Sequence, residues 1–331
     1  MEQYNYTTVL SRYRSYEVQL IKQSLYYDDE EDHALDITAF DSRDWGAPST
    51  LVESSPEMCP LPCRIELRWV ALLDGKCFEI AETLDKTKAD ELWKKQQSTK
   101  DPFKQYIIGI APYGVVAIWL CSNEKSVLLQ WLTAQESQLT EEELLLYTPR
   151  PEREAFVNRL MPLKKLQSNM RQYCYRCIPL EEYFDGEKWR RFDQGDVSYN
   201  AIDLDGVEVK RLDGSFDFSD SDELLRYNSL GKPQRIVVKW QEDNASYLAH
   251  FWLDETIVTS FFDSLFNTFP DAKADLLLRI DTRANRYEIA MTGEGLPVHT
   301  LTYTQYIVFK DYEEISRSAN YTKKEGEWHW Y

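Results

Sequence analysis

The sequence predicts an α+β protein of two similar ββαββ lobes, antiparallel sheets each with a packed helix, joined by a helical connector. Three observations predict it. Apolar and polar residues alternate over paired stretches of strand length. One amphipathic helix separates two such pairs in each half of the chain. The start Pro-x-Arg-Ile-x-x-basic-Trp and the helix entry Leu-Asp both occur twice, at Pro62 to Trp69 with Leu84-Asp85, and at Pro233 to Trp240 with Leu253-Asp254. The expected boundaries are an N-terminal lobe over 1–138, a connector over 139–185 and a C-terminal lobe over 186–331.

Residues 1–60 mix a tyrosine-rich opening with the acidic run Asp28 to Asp32 and read as loops and edge strands. Ile65, Leu67 and Trp69 then alternate with Arg64, Glu66 and Arg68, the period of a half-buried strand. Asp74-Gly75 is a hairpin turn signal, and Cys77 to Ile80 is the return strand. Asp85 is placed to accept from the free amides of a helix whose Ala89, Leu92, Trp93 and Gln96 recur at helical spacing. Tyr106 to Ile110 and Val115 to Leu120 make a second hairpin across Ala111-Pro112-Tyr113-Gly114. Thr140-Glu-Glu-Glu143 opens the connector with a capping signal, and helical composition continues over 151–170 with a break at Pro162. Asp205-Gly206 and Asp213-Gly214 read as turns between short strands. In the C-terminal half, Tyr247 to Leu253 returns the strand that begins at Arg235. The next helix carries Ile257, Val258, Phe261, Phe262, Leu265, Phe266 and Phe269 on one stripe and stops at Pro270. Leu276, Leu278 and Ile280, then Tyr287, Ile289 and Met291, form the closing hairpin, and the chain beyond Val308 is polar until Trp328-His329-Trp330-Tyr331.

A chain of 331 residues with 43% hydrophobic content buries a core without covalent staples. Thirty-eight Lys and Arg against 56 Asp and Glu give a net charge of −18, which repels nucleic acid and anionic lipid and favours a basic partner. No apolar run reaches the roughly 18 to 20 residues of a membrane span. The start Met1-Glu-Gln-Tyr-Asn-Tyr has neither a basic-then-apolar leader nor a lipid-accepting Cys. A cytoplasmic location is therefore expected, with a periplasmic lipoprotein the alternative for a chain whose signal has been removed. The six cysteines read as reduced thiols.

Cys174-x-x-Cys177 has metal-ligand spacing, and Cys59-x-x-x-Cys63 would supply the other two ligands of a tetrahedral zinc. The first pair closes a polar helical stretch and precedes Ile178-Pro179, which is not the strand-to-helix setting of a redox motif, so neither zinc nor a disulfide is expected. His33, His250, His299 and His329 are too scattered for a metal triad or a nucleophile with its base, and His250 reads as a packed strand residue. Asp203-x-Asp205-Gly206 lacks the closing Glu of a calcium loop, and no phosphate-binding glycine loop or nucleophile elbow is present. No catalytic residue, metal or cofactor is expected. The acidic groups Asp217, Asp220, Asp222 and Glu223 lie among glycine and serine and read as an electrostatic dock. Tyr113 at a turn tip, with Trp328 and Trp330, reads as a set of aromatic anchors.

Several segments together resemble one family. Pro60-Leu-Pro-Cys-Arg-Ile-Glu-Leu-Arg-Trp69, Lys76-Cys-Phe78, the run Tyr106 to Leu120, and Gly231-Lys-Pro through Trp240 are similar to the bacterial domain-of-unknown-function family 2931 (DUF2931), over most of the chain from about Trp45 onward. The best single piece is the Gly-x-Ala-Pro-x-Gly-x-x-x-x-Trp-Leu hairpin, in which Tyr113 stands where the family often has Gly. The resemblance implies a protein whose relatives include lipoproteins and immunity-like proteins encoded beside secreted toxins, and it supplies no catalytic residues. The expected function is thus a non-enzymatic acidic binding protein, an immunity protein that neutralises a basic toxin such as a type VI secretion effector. Two other classes stay open: a hydrolase-like enzyme with a site assembled from loops between the lobes, and a scaffold protein of a surface apparatus.

Overall fold

The computed structural model describes residues 2–13, 16–27, 34–35, 39–40, 45–48, 58–146, 157, 162–184, 188–191, 203–219, 226–242, 244–281, 286–293, 296–301 and 304–321. The chain is mostly β, with four α-helices among the described residues. It divides into two compact units, Met1–Met170 with Asp213–Phe216, and Arg171–Leu212 with Asp217–Tyr331.

The first unit runs through β1 (Tyr4–Asn5), β2 (Thr7–Arg12), β3 (Val18–Tyr26), β4 (Ala34–Leu35), β5 (Ala39–Phe40), β6 (Met58–Cys59), β7 (Arg64–Ala71) and β8 (Lys76–Thr83). Then come α1 (Lys86–Gln97), β9 (Gln105–Ile110), β10 (Val115–Cys121), β11 (Lys125–Thr133), β12 (Gln135–Ser137), α2 (Glu141–Leu146) and α3 (Leu163–Asn169). One sheet, in the order β12-β8-β7-β3-β4, is antiparallel throughout. β1 pairs only with β6, and the remaining strands pair in the order β11-β10-β9-β2-β5, with β2 parallel to both β9 and β5. The hairpins before and after the helix therefore lie in different sheets, where a single antiparallel sheet was expected. A parallel β2–β9 pair requires a crossover rather than a hairpin, and α1 lies within the connection from β8 to β9.

Both sheets and the helix feed one core. β7 contributes Ile65, Leu67 and Trp69, β9 contributes Tyr106, Ile108 and Ile110, and α1 contributes Ala89 and Trp93. Asp85 caps α1 by accepting from Lys88 N at 2.9 Å, as its place in the sequence predicts. β9 and β10 are buried on both faces, which is why they read as unbroken apolar runs. Their outer residues Ile107, Ala117 and Trp119 pack with Trp45, Leu166 and Met170. The turn between them holds Tyr113 at φ 63° and Gly114 at φ 74°. Gly109 admits no side chain, because a Cβ there would fall 2.5 Å from the Trp119 ring.

The second unit contains β13 (Gln172–Phe184), β14 (Lys188–Arg191), β15 (Asp203–Arg211), β16 (Phe216–Ser219), β17 (Asn228–Gly231), β18 (Pro233–Glu242) and β19 (Ala245–Trp252). It continues with α4 (Glu255–Thr268), β20 (Ala274–Asp281), β21 (Arg286–Gly293), β22 (Leu296–Thr300), β23 (Gln305–Lys310) and β24 (Glu313–Arg317). Strands pair in the orders β24-β23-β19-β18-β15-β16 and β14-β13-β20-β21-β22, with β17 also on β13 and with β13 parallel to β20. Asp254 caps α4, accepting from Thr256 N and Ile257 N, and Val258, Phe262 and Phe266 enter the core.

The expected helical connector over 139–185 is not a separate body. α2 and α3 belong to the first unit, and Gln172–Phe184 is a strand of the second. Tyr173, Tyr175 and Cys177 are buried while Gln172, Cys174 and Arg176 are half-buried, so the period there is two and not 3.6. The Cys174/Cys177 pair thus sits within a strand.

Phe262 has no exposed surface and meets Tyr173, Tyr175 and Phe266 with ring centroids 5.4 to 5.9 Å away. Phe262→Ala is expected to cost about 3 to 5 kcal/mol, read from urea unfolding as a lowered midpoint with an unchanged slope.

Candidate partner-binding groove

The alternation that sends Ile65, Leu67 and Trp69 of β7 into the core sends Glu66 and Arg68 to the other face of the sheet. Cross-strand pairing sets Glu79 beside Arg68 and Ala81 beside Glu66, and Lys22 of β3 flanks Arg68. These residues, with Glu82, Thr133 and Gln135, line a groove of about 330 Å³.

Arg68 organises the groove. Its guanidinium reaches Glu79 at 2.6 Å, Glu143 at 2.9 and 3.1 Å, and the Gln138 carbonyl at 2.9 Å. Glu143 is held for this contact by a reciprocal cap: Thr140 N donates to its carboxylate at 2.8 Å, and its own N–H donates to Thr140 Oγ1 at 3.2 Å. The capping signal Thr140-Glu-Glu-Glu143 is therefore also what aims a carboxylate at Arg68. Across the groove Glu66 accepts from Lys22 and, at 3.1 Å, from the Tyr26 hydroxyl. The Lys22 hydrogen bond holds the Glu66 carboxyl below its ordinary range against the opposing effect of burial, and Arg68 does the same for Glu143. These groups are locked in their charged forms.

The groove opens along one edge of β8. β7 pairs with β8 over its whole length, but β12 covers only Cys77–Glu79. Among the described residues no strand lies beside Ile80–Thr83. There the Gln130 amide spans the gap instead, accepting from Asp85 N at 2.6 Å and donating to the Thr83 carbonyl at 3.4 Å.

Of the residues expected to bind a partner, Asp217 is committed elsewhere. It pairs with the buried Arg211 at 2.5 Å. Tyr113 is half-buried against the Trp45–Trp119 cluster rather than displayed. Asp220, Asp222, Glu223, Trp328 and Trp330, with the run Asp28 to Asp32, lie outside the described residues. One display was missed in the sequence. The β23–β24 turn holds Asp311 at φ 47° and Tyr312 at φ 70°, and Tyr312 is 90% exposed. Positive φ at two non-glycine residues is uncommon; the only sequence signal is an aspartate in a short polar break between two alternating stretches.

The other chemical candidates are packed residues. Cys121 and Cys177 are buried, which pushes both thiols up to about 12. No two of the six cysteines are joined in a disulfide among the described residues. Among the described residues no group of three or more His, Cys, Asp or Glu is arranged to hold a metal ion, and no helix is long and apolar enough to cross a membrane. His250 stacks on Trp252, and burial, with Arg235 and Lys239 nearby, pushes its imidazole down to about 4.

The fold and the groove define a mostly β protein with a polar, ion-paired sheet face on its N-terminal unit. Residues 10–173, which contain that face, match the model of the family described as Protein of unknown function (DUF2931), and over those residues the chain belongs to that family. No curated protein and no solved structure matches the chain.

Two outcomes follow from these geometries. Asp217→Asn removes the negative charge from beside a buried guanidinium and is expected to cost about 3 kcal/mol, measured by urea unfolding. His250 binds a proton more readily in the unfolded chain, so the stability it leaves intact at neutral pH is lost as pH falls from 6.5 toward about 4. The full loss is about 3 kcal/mol, and His250→Leu should flatten the fall in unfolding midpoint between about pH 7 and about pH 5.

Proposed function

We propose that this protein is a non-enzymatic binding protein of the immunity type, which captures and neutralises a basic secreted toxin. The observation that carries the reading is the state of the groove: Glu66 is held in its charged form by Lys22, and Glu143 by Arg68. A general acid or base needs a pKa brought toward the working pH. The shifts at Glu66 and Glu143 go the other way. A preset pattern of ionised groups suits recognition of a charged surface, and the net charge of −18 favours a basic one.

In the same reading the two units are copies of one ancestral unit, of which the second has diverged beyond the family match. Matched contacts support this. Tyr6 donates to the Pro60 carbonyl at 2.7 Å and Tyr175 to the Gly231 carbonyl at 2.6 Å, each two residues before the proline that opens the long hairpin. Leu84 N donates to Cys63 O and Leu253 N to Gln234 O, each at the helix entry. Trp69 stacks on its cross-strand partner Phe78, and Trp240 on Tyr247. A superposition of 62–121 on 233–292 that put the helices on opposite sides would remove the duplication.

Co-purification from the native host, with mass spectrometry, identifies the partner. Charge reversal of Asp220, Asp222 and Glu223, leaving Asp217 to Arg211, is then expected to slow capture about tenfold at low salt and to flatten its salt dependence. Unchanged rates would remove the acidic segment as a dock, and an acidic partner would remove the reading itself.

A further inference from the structure

We infer that the open edge of β8 at Ile80–Thr83 is a strand-addition site, at which an extended basic segment of the partner protein pairs antiparallel to β8. The inference rests on the binding reading above and says how the partner is held.

The second unit supplies the template. There β19 stands where β8 stands in the first, and β23 pairs with it from Tyr247 to Trp252, setting Ala249 beside Val308, His250 beside Ile307, Phe251 beside Tyr306 and Trp252 beside Gln305. Through the shared Trp–aromatic pair, Ile80, Ala81, Glu82 and Thr83 match these four residues of β19. In the first unit the equivalent stretch of chain is used otherwise. Thr133 stays paired with Val115 of β10, and the chain crosses to the other sheet only at Ala134, whose N–H donates to the Gly114 carbonyl at 2.7 Å. In the second unit the crossing comes earlier, so that six residues of β23 reach β19. The same edge is filled in one unit and open in the other.

The side chains at the open edge define what fits. Where the covered edge of the second unit has Leu248 and Phe251, the open edge has Glu79, opposite the half-buried Arg68, and Glu82, opposite Ile65; both carboxylates are exposed. Arg68 already has Glu79 and Glu143, and Glu66 has Lys22, which leaves Glu82 as the carboxylate at the edge with no ion pair among those described. An incoming strand gains most by placing a lysine or arginine there and a small apolar residue beside Ile80. Backbone pairing provides the affinity and the alternating side chains the selectivity.

The probe is a terminally blocked octapeptide whose central Thr-Lys-Thr-Val sets lysine beside Glu82 and valine beside Ile80 in antiparallel register, and its control carries proline in place of the two threonines. Amide hydrogen exchange is followed on the full chain. At saturation the first peptide is expected to slow exchange across residues 80–83 about tenfold and the proline peptide to leave it unchanged, because proline lacks the donor for the ladder. Glu82→Lys should weaken the first peptide's binding about tenfold while leaving the unfolding midpoint in place. Unchanged exchange at 80–83, or equal slowing by both peptides, overturns the inference. A basic partner that binds without protecting 80–83 would remove strand addition and keep the binding reading; peptide protection together with an acidic native partner would do the reverse.

Discussion

The first unit depends on the seat of the Trp119 ring. β10 lies between β9 and β11 in its sheet, and Trp119 points away from the main core into a second cluster, edge-on to Trp45 at 4.7 Å. Its indole N–H donates to the Asp213 carbonyl at 3.1 Å. Gly109 on the neighbouring strand makes room for it, and a side chain at Gly46 would meet the Gly214 carbonyl at 2.6 Å beneath it. The consequence travels along the hairpin. The register between β10 and β11 shifts opposite Ile118 and Trp119, where Gln130 pairs with Ile118 and Leu128 with Trp119. Such a shift sharpens the local twist of the strand. Beyond it β11 stays with β10 through Thr133, and Gln130 extends to the end of β8. The short β12, and hence the open edge, goes with β11 staying on β10 through Thr133.

The second unit places a cost in its interior that the first avoids. Lys232 has no exposed surface and stands 3.2 Å from Asp263 of α4, with the Tyr173 ring 5.4 Å away and the Tyr173 hydroxyl donating to the same carboxylate at 2.5 Å. Burial pushes the ammonium pKa down. The matching place in the first unit is Leu61, which is buried without any charge. A packed leucine serves stability as well as a buried ion pair does. What the pair adds is geometric: moving α4 by one turn, about 5.4 Å, would carry Asp263 away from the buried Lys232 ammonium.

Much of this was legible because strand period and helix capping act over a few residues. The hairpins at Asp74-Gly75 and at Ala111 to Gly114, both aspartate caps and the burial of Trp69 and Trp240 all follow from local pattern. The sheet to which each hairpin belongs did not, since β2 and β13, which pair parallel with the strands after the helices, lie far away in sequence. β13 was read as helical because its half-buried Arg176 and Gln172 suit either structure, and only the inward row Tyr173, Tyr175 and Cys177 decides for strand. The groove escaped for a related reason. Glu66 and Arg68 were visible as the polar side of a strand, but nothing nearby in sequence says that Glu143 will reach Arg68, or that β12 will end after three residues.

An open edge is a liability, since bare backbone donors and acceptors accept any extended chain, and proteins blunt such edges with charge. Glu79, Ala81, Glu82 and Thr83 make an exposed edge row carrying two carboxylates, where the matching residues of β19 under β23 are Leu248, His250, Phe251 and Trp252. That row disfavours a second copy of this acidic chain, because like carboxylates would face each other across the new ladder. It also disfavours apolar strands, which would have to desolvate Glu82 without neutralising it. The charges that protect the edge from indiscriminate pairing therefore select the same property in a productive partner, a strand that brings its own positive charge, and the cost of keeping the edge open becomes the source of its selectivity.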